Sequence, residues 1–216
     1  MTQHDVEQPP VDVEFFLDPV CPWCWITSRW VTNVQAAKDY RVGWRFISLE
    51  MLNRDNERTP QHQAGHQAGL RALRVADQVR IDHGNETVAA YYSALGRKLH
   101  VEQRREEFLD DSLVAEALAE LGHDAALIEH ATDESHDEYL RQETDLALSR
   151  TGPNVGTPIL TFAPGQGDRE GSFFGPVISK APRGAEAVAL WEAVETLATS
   201  GVAELKRSLR AKPEFD

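Results

Sequence analysis

The two cysteines of this 216-residue chain stand with two residues between them, in Cys21-Pro22-Trp23-Cys24. Paired thiols at that spacing can pass between dithiol and disulfide, so the chemistry on offer is thiol–disulfide exchange. The flanking residues read as the end of a strand and the start of a helix. A thiol at a helix N-terminus faces unpaired backbone N–H groups and the positive end of the helix dipole. Such a setting lowers a thiol pKa from about 8.5 to roughly 3.5–7.5. Pro22 suits the first helical turn, where its missing N–H leaves nothing unpaired. Cys21, nearer the helix end and the surface, is expected as the nucleophile, and Cys24, one turn in, as the resolving thiol. Pro22 and Trp23, at the tip of the motif, are the candidate substrate contacts, with Trp23 supplying apolar surface.

Other readings of the pair are weaker. A structural disulfide closing a two-residue loop stabilises little. His62 and His66 stand four apart on an expected helix, so Cys-x2-Cys and His-x3-His are both present. The 37 residues between Cys24 and His62 are far from the roughly 12–15 of a zinc finger, and no metal site is expected. Inert buried cysteines would not explain the pairing or the proline.

The elements that must hold the pair follow from patterning. Residues 11–17 (VDVEFFL) read as a strand, a helix runs from about Cys21, and 41–49 (RVGWRFISL) alternates as a second strand. A right-handed crossover should make the two strands parallel. From Gln61 to Arg150 there is no proline and the composition favours helix, giving three to five helices with breaks at His83-Gly84, Leu121-Gly122 and, more weakly, Val101-Glu102. Strands return at 158–162 and 172–174 as an expected hairpin, followed by a helix over 184–199 and a tail that ends loose at Lys212-Pro213. The expected division is a discontinuous domain of 11–60 and 151–216, with 61–150 inserted as a helical domain. Thr157-Pro158 opens the third strand, and for that bond frequency alone favours trans.

Composition narrows the partners. The net charge is −13, and the stretch Glu102 to Asp145 carries fifteen carboxylates against three arginines. A phosphate backbone would be repelled, so nucleic acid is not an expected partner. The acidic stretch reads as a solvated helical face. No apolar run is long enough to span a membrane. The polar N-terminus (MTQHDVEQPP) does not read as a secretory signal, so a cytoplasmic protein is expected. The glycines of 165–171 miss the dinucleotide pattern and precede a strand rather than a helix, which leaves no nucleotide or flavin site.

The order strand, Cys-x-x-Cys helix, strand, helical insertion, Thr-Pro strand, hairpin strand, helix resembles the DsbA-like branch of the thioredoxin superfamily. The resemblance implies an α/β thioredoxin fold (β-α-β … β-β-α) with an all-helical insertion between the second and third strands. It also implies that Pro158 is a cis proline facing the dithiol and that Thr157 presents backbone groups to the substrate. Asp18-Pro19-Val20-Cys21-Pro22-Trp23-Cys24-Trp25-Ile26-Thr27-Ser28-Arg29-Trp30 is similar to the active-site segment of mycothiol-dependent reductases. Phe173 to Lys180, Pro182-Arg183-Gly184, Glu204 to Arg207 and Pro213 to Asp216 are similar as well. That likeness implies a cytosolic reductase with no tightly bound cofactor, drawing electrons from mycothiol or another small thiol. Its substrates would be disulfides or small aromatic, including nitroaromatic, compounds. The oligomeric state, a homodimer included, stays open. The related kappa-class glutathione transferases and 2-hydroxychromene-2-carboxylate isomerases share the inserted architecture as non-redox enzymes, but normally lack the second cysteine that is present here.

Overall fold

A computed structural model describes residues 10–207, 209 and 211–215. Residues 1–9, read above for a leader, and Asp216 of the C-terminal segment lie outside the described residues. The central strand is β1 (Val13–Leu17), and all five of its residues are buried. It pairs in parallel with β2 (Val42–Phe46) and antiparallel with β3 (Ile159–Phe162), which forms an antiparallel hairpin with β4 (Gly171–Phe174). The sheet order is β2-β1-β3-β4. The second strand ends earlier than its pattern suggested. Ser48 instead caps the short helix α2 (Leu49–Leu52), its hydroxyl accepting the Met51 N–H.

Alternation divides β1 between two faces. Val13, Phe15 and Leu17 join Trp44, Phe46, Leu160 and Phe162 in the main core. Helix α1 (Pro22–Gln35) and helix α8 (Gly184–Ala198) pack together on this cluster. Trp30 and Trp191, both fully buried, meet there with ring centroids 5.3 Å apart. The indole N–H of Trp30 donates to the Ala187 carbonyl at 2.9 Å, which fixes the angle at which α1 leaves the sheet.

The other face holds Phe16, Ile47 and Ile159, covered by Ala147 of α7 (Asp137–Thr151). It also holds Glu14, whose carboxylate pairs with Arg45 and Arg150, while Arg45 reaches Glu143 of α7. These cations offset the cost of burying the Glu14 carboxylate.

Between α2 and β3 the chain forms α3 (Pro60–His83), α4 (Asn85–Gly96), a π-helical turn (Arg97–Val101), α5 (Arg105–Leu109), α6 (Ser112–Glu120), two 3-10 turns (Ala125–Thr132, Glu134–His136) and α7. Thr59 caps α3, with Pro60 in its first turn. Gly84 and Gly122 lie at the expected breaks with φ of 84° and 71°, conformations that L side chains resist. Carboxylates of the acidic stretch pair with Arg104, and Glu120 pairs with Lys98 at 3.0 Å. The carboxylates of these pairs are solvated, which limits what each pair contributes to stability.

The tail departs from expectation. Gly201, with φ of 75°, follows the end of α8, and the C-terminal residues pack back on the body instead of hanging loose. The Glu214 N–H donates to the Ser179 carbonyl at 2.7 Å, and the Phe215 ring stacks 5.8 Å from His100. An aromatic face left uncovered on the body gives the tail something to bury against. Among the described residues, no helix is long and apolar enough to cross a membrane.

Candidate functional site

Helix α1 opens at Cys21, which is its N-cap, with φ −77° and ψ 114°. The Cys21 Sγ accepts the Cys24 backbone N–H at 3.4 Å, so the sulfur takes a donor that the helix start would leave unpaired. Pro22 follows in the first turn, and that turn holds no acidic residue to compete for the positive end of the dipole. The Cys21 thiol is held below its ordinary pKa, first by a hydrogen bond from the Cys24 thiol and then by contact with Thr157, against the opposing effect of burial. Cys24 is fully enclosed, and that burial pushes its thiol well above the ordinary value, with the bond to Cys21 adding to the rise. Position has therefore moved the acidities of two identical side chains in opposite directions.

The Thr157 carbonyl oxygen lies 4.0 Å from the Cys21 Sγ, although 136 residues separate the two in sequence. The Thr157–Pro158 peptide bond is cis. Gly175–Pro176 is cis as well, and the Pro176 carbonyl accepts the Thr27 hydroxyl at 2.9 Å, tying α1 to the chain after β4.

Cys21, Pro22, Trp23 and Thr157 line one cleft of about 900 Å³. Cys24 and Pro158 do not line it; they sit behind Cys21 and Thr157. Phe174 closes the cleft beside Thr157, and His62 and His66 of α3 contribute from the helical segment. The sequence had offered these histidines only as a pair too far from the cysteines for a zinc finger. Burial, followed by the nearby Arg58 guanidinium, keeps the His66 pKa below its ordinary value.

Two residues the sequence reading passed over stand directly behind the motif. Asp18 is wholly buried. Its Oδ1 accepts the Val20 N–H at 2.9 Å and its Oδ2 the Leu49 N–H at 2.8 Å. Burial outweighs those bonds and raises its pKa to about 7. Gly69 of α3 is what lets the helix approach, since a Cβ there would lie 2.8 Å from the Asp18 Oδ1. His100, in the π-helical turn, donates from Nε2 to the Pro19 carbonyl at 2.9 Å and stacks 5.9 Å from Trp25. Burial lowers its pKa to about 4, so it is neutral at physiological pH. Nothing local to Asp18-Pro19 shows that α3 and the π turn seal it.

Among the described residues, the His and carboxylate side chains close enough to share an ion are His130, Asp133 and His136, which are absent from the residues lining the cleft.

The family described as Rv2466c-like, mycothiol-dependent nitroreductase Rv2466c, matches residues 20–207. The uncharacterized Mycobacterium tuberculosis H37Rv protein Rv2286c is 29% identical over 188 residues, covering 86% of this chain and 76% of that protein. Among solved structures, a Nitrosomonas europaea protein named as a candidate protein disulfide isomerase superposes with a TM-score of 0.54 at 15% identity, over 88% of this chain and 98% of that one. The cytosolic disulfide reductase DsbM of Pseudomonas aeruginosa gives 0.52 at 17% identity, over 86% of this chain and 99% of that one. These structural likenesses carry the DsbA-like thioredoxin fold.

Proposed function

The chain belongs to the Rv2466c-like family and is a thiol–disulfide oxidoreductase; from that premise we propose that Cys21 is its attacking thiolate, Cys24 its resolving thiol and mycothiol its electron donor. The observation that carries the assignment is the asymmetry of the pair. One sulfur caps a helix at the edge of a cleft, and the other is sealed behind it with its thiol held protonated.

The Cys21 thiolate attacks one sulfur of a substrate disulfide, and the other sulfur leaves as a thiolate. Cys24 then gives up its proton and attacks the Cys21 sulfur, releasing the second substrate thiolate and leaving Cys21–Cys24 as the disulfide. Two mycothiol molecules return the pair to the dithiol and become mycothiol disulfide. Asp18, buried beside the pair with a carboxyl that titrates near neutrality, is the acceptor we assign to the Cys24 proton. Thr157 offers its backbone to the incoming chain, with Pro158 behind it. Pro22, Trp23 and Phe174 form the apolar walls. Those aromatic walls also support a flat nitroaromatic oxidant, whose two-electron reduction to the nitroso compound and water would leave the same disulfide.

A pair that must return to the dithiol after each turnover fits a reducing compartment such as the cytoplasm. We also keep the division into a sheet domain (11–60 and 151–216) and an inserted helical domain (61–150) as part of this reading.

Mass spectrometry of variants incubated with mycothiol disulfide tests the roles. Cys24→Ser should accumulate a mixed disulfide of one mycothiol on Cys21, and Cys21→Ala should form no adduct and turn nothing over. Full turnover by Cys24→Ser would favour the non-redox transferase or isomerase alternative, in which the second thiol is dispensable.

A further inference from the structure

Away from the dithiol, the two 3-10 turns Ala125–Thr132 and Glu134–His136 bring three side chains to one point. His130 lies near the end of the first turn and His136 closes the second, while Asp133 joins the two with extended backbone (φ −84°, ψ 103°) and stands at the corner between them. The His130 Nδ1 lies 3.0 Å from the His136 Nε2, and the Asp133 Oδ2 lies 3.7 Å and 4.0 Å from those two nitrogens.

We propose that His130, Asp133 and His136 form a binding site for one divalent transition-metal cation of the zinc type. Three atoms separated by 3.0, 3.7 and 4.0 Å have a common equidistant point about 2.1 Å from each. That length matches zinc bonds to imidazole nitrogen, about 2.0–2.1 Å, and to carboxylate oxygen, about 2.0–2.2 Å. Two imidazoles and one carboxylate suit zinc; the equidistant point lies in the plane of the three atoms, and drawing Asp133 closer to the histidines lets the ion rise from that plane and leave a fourth position for water.

The atoms around the three ligands are arranged as a metal site needs them. His136 is buried, and its Nδ1 lies 2.8 Å from the Oδ2 of Asp77, a carboxylate with no exposure. A carboxylate holding the far nitrogen of an imidazole fixes the ring and directs the lone pair of the near nitrogen outward, an arrangement typical of zinc-bound histidine. Asp77 is itself held, since its Oδ1 accepts from the Arg80 guanidinium at 2.8 Å and 3.1 Å. Asp133 divides its two oxygens. Oδ1 accepts the Ser135 N–H at 2.9 Å and caps the second turn, which leaves Oδ2 for the histidines. His130 and Asp133 are partly exposed, so an ion can enter from solvent. The composition of the chain hid this cluster because its three side chains meet only where the backbone turns a corner at Asp133 between two short 3-10 turns.

The experiment uses the full chain without any polyhistidine tag and with Cys21→Ser and Cys24→Ser, so that the thiols cannot take the metal. Zinc titration by calorimetry should give one ion per chain. Cobalt loaded in its place should give a tetrahedral visible spectrum, and X-ray absorption should show nitrogen and oxygen neighbours without sulfur. His130→Ala and Asp133→Asn should each weaken zinc binding by more than about tenfold, the lower bound for losing even an outer-shell partner. Asn at 133 can still cap Ser135, so that variant tests the ligand apart from the turn. His62→Ala with His66→Ala should leave the titration unchanged. Absence of one-to-one binding, binding indifferent to His130→Ala and Asp133→Asn in variants whose circular dichroism is native, or loss through the His62 and His66 changes would each overturn the assignment.

Discussion

Replacing Asp18 by Asn should reverse its effect on stability between acid and alkaline pH. The wild-type carboxyl has a pKa of about 7 in the folded protein against 3.8 for a free side chain, because burial disfavours the charge. Below pH 3.8 both folded and unfolded chains hold the proton. Between 3.8 and 7 the unfolded chain releases it while the folded chain keeps it, so the unfolded state binds fewer protons and stability falls as pH rises. Above 7 the folded protein carries the whole cost of a buried charge. At about 1.4 kcal/mol per pKa unit, that cost is about 4 kcal/mol.

Asn removes this term at every pH. It also provides one acceptor oxygen where Asp18 uses two, so the Val20 or the Leu49 N–H loses its partner, at about 1–3 kcal/mol. Urea unfolding near pH 4 should therefore find Asp18→Asn less stable than wild type by about 1–3 kcal/mol. Near pH 8 it should be more stable by a similar amount. The difference between the proteins is the quantity to follow, since it cancels every other titrating group. A difference that stays constant between pH 4 and 8 would refute the claim that Asp18 is a destabilised buried carboxyl, and with it the assignment of Asp18 as the proton acceptor for Cys24.

Further outcomes follow from the same geometry. Alkylation with iodoacetamide, mapped by peptide mass, should modify Cys21 with a midpoint below the ordinary thiol range while Cys24 stays unmodified in the folded protein. Because the Asp18 charge raises the Cys21 pKa, Asp18→Asn should move that midpoint lower still. His100 has the opposite linkage to Asp18. Its folded pKa of about 4 lies below the free value of 6.5, so the unfolded chain takes up protons first, and stability is lost as pH falls from 6.5 to 4, by up to about 3 kcal/mol. His100→Phe keeps a ring against Trp25 and Phe215 but leaves the Pro19 carbonyl without its donor. Denaturation should find it weaker than wild type at pH 7, with the deficit shrinking toward pH 4. Gly69→Ala would press a methyl against the Asp18 Oδ1 and should cost about 1–3 kcal/mol in thermal or urea unfolding.

What the chain announces about itself is local. Cys21 and Cys24 three apart, Pro22 between them and the apolar run before Asp18 are enough to place a thiol at a helix start, because capping depends on atoms within one turn. The succession of strands along the chain and the all-helical character of 61–150 were equally legible, since alternation and the absence of proline act over short windows. The acidities were not. Burial of Cys24, Asp18 and His100 depends on α3, the π turn and the returning tail, which arrive from tens of residues away, and the Thr157 carbonyl reaches Cys21 only across the β1–β3 pairing. Desolvation is set by whatever covers a group, and no motif records its own cover. His130, Asp133 and His136 make the same point, for they meet only because the chain turns a corner at Asp133 between two short 3-10 turns.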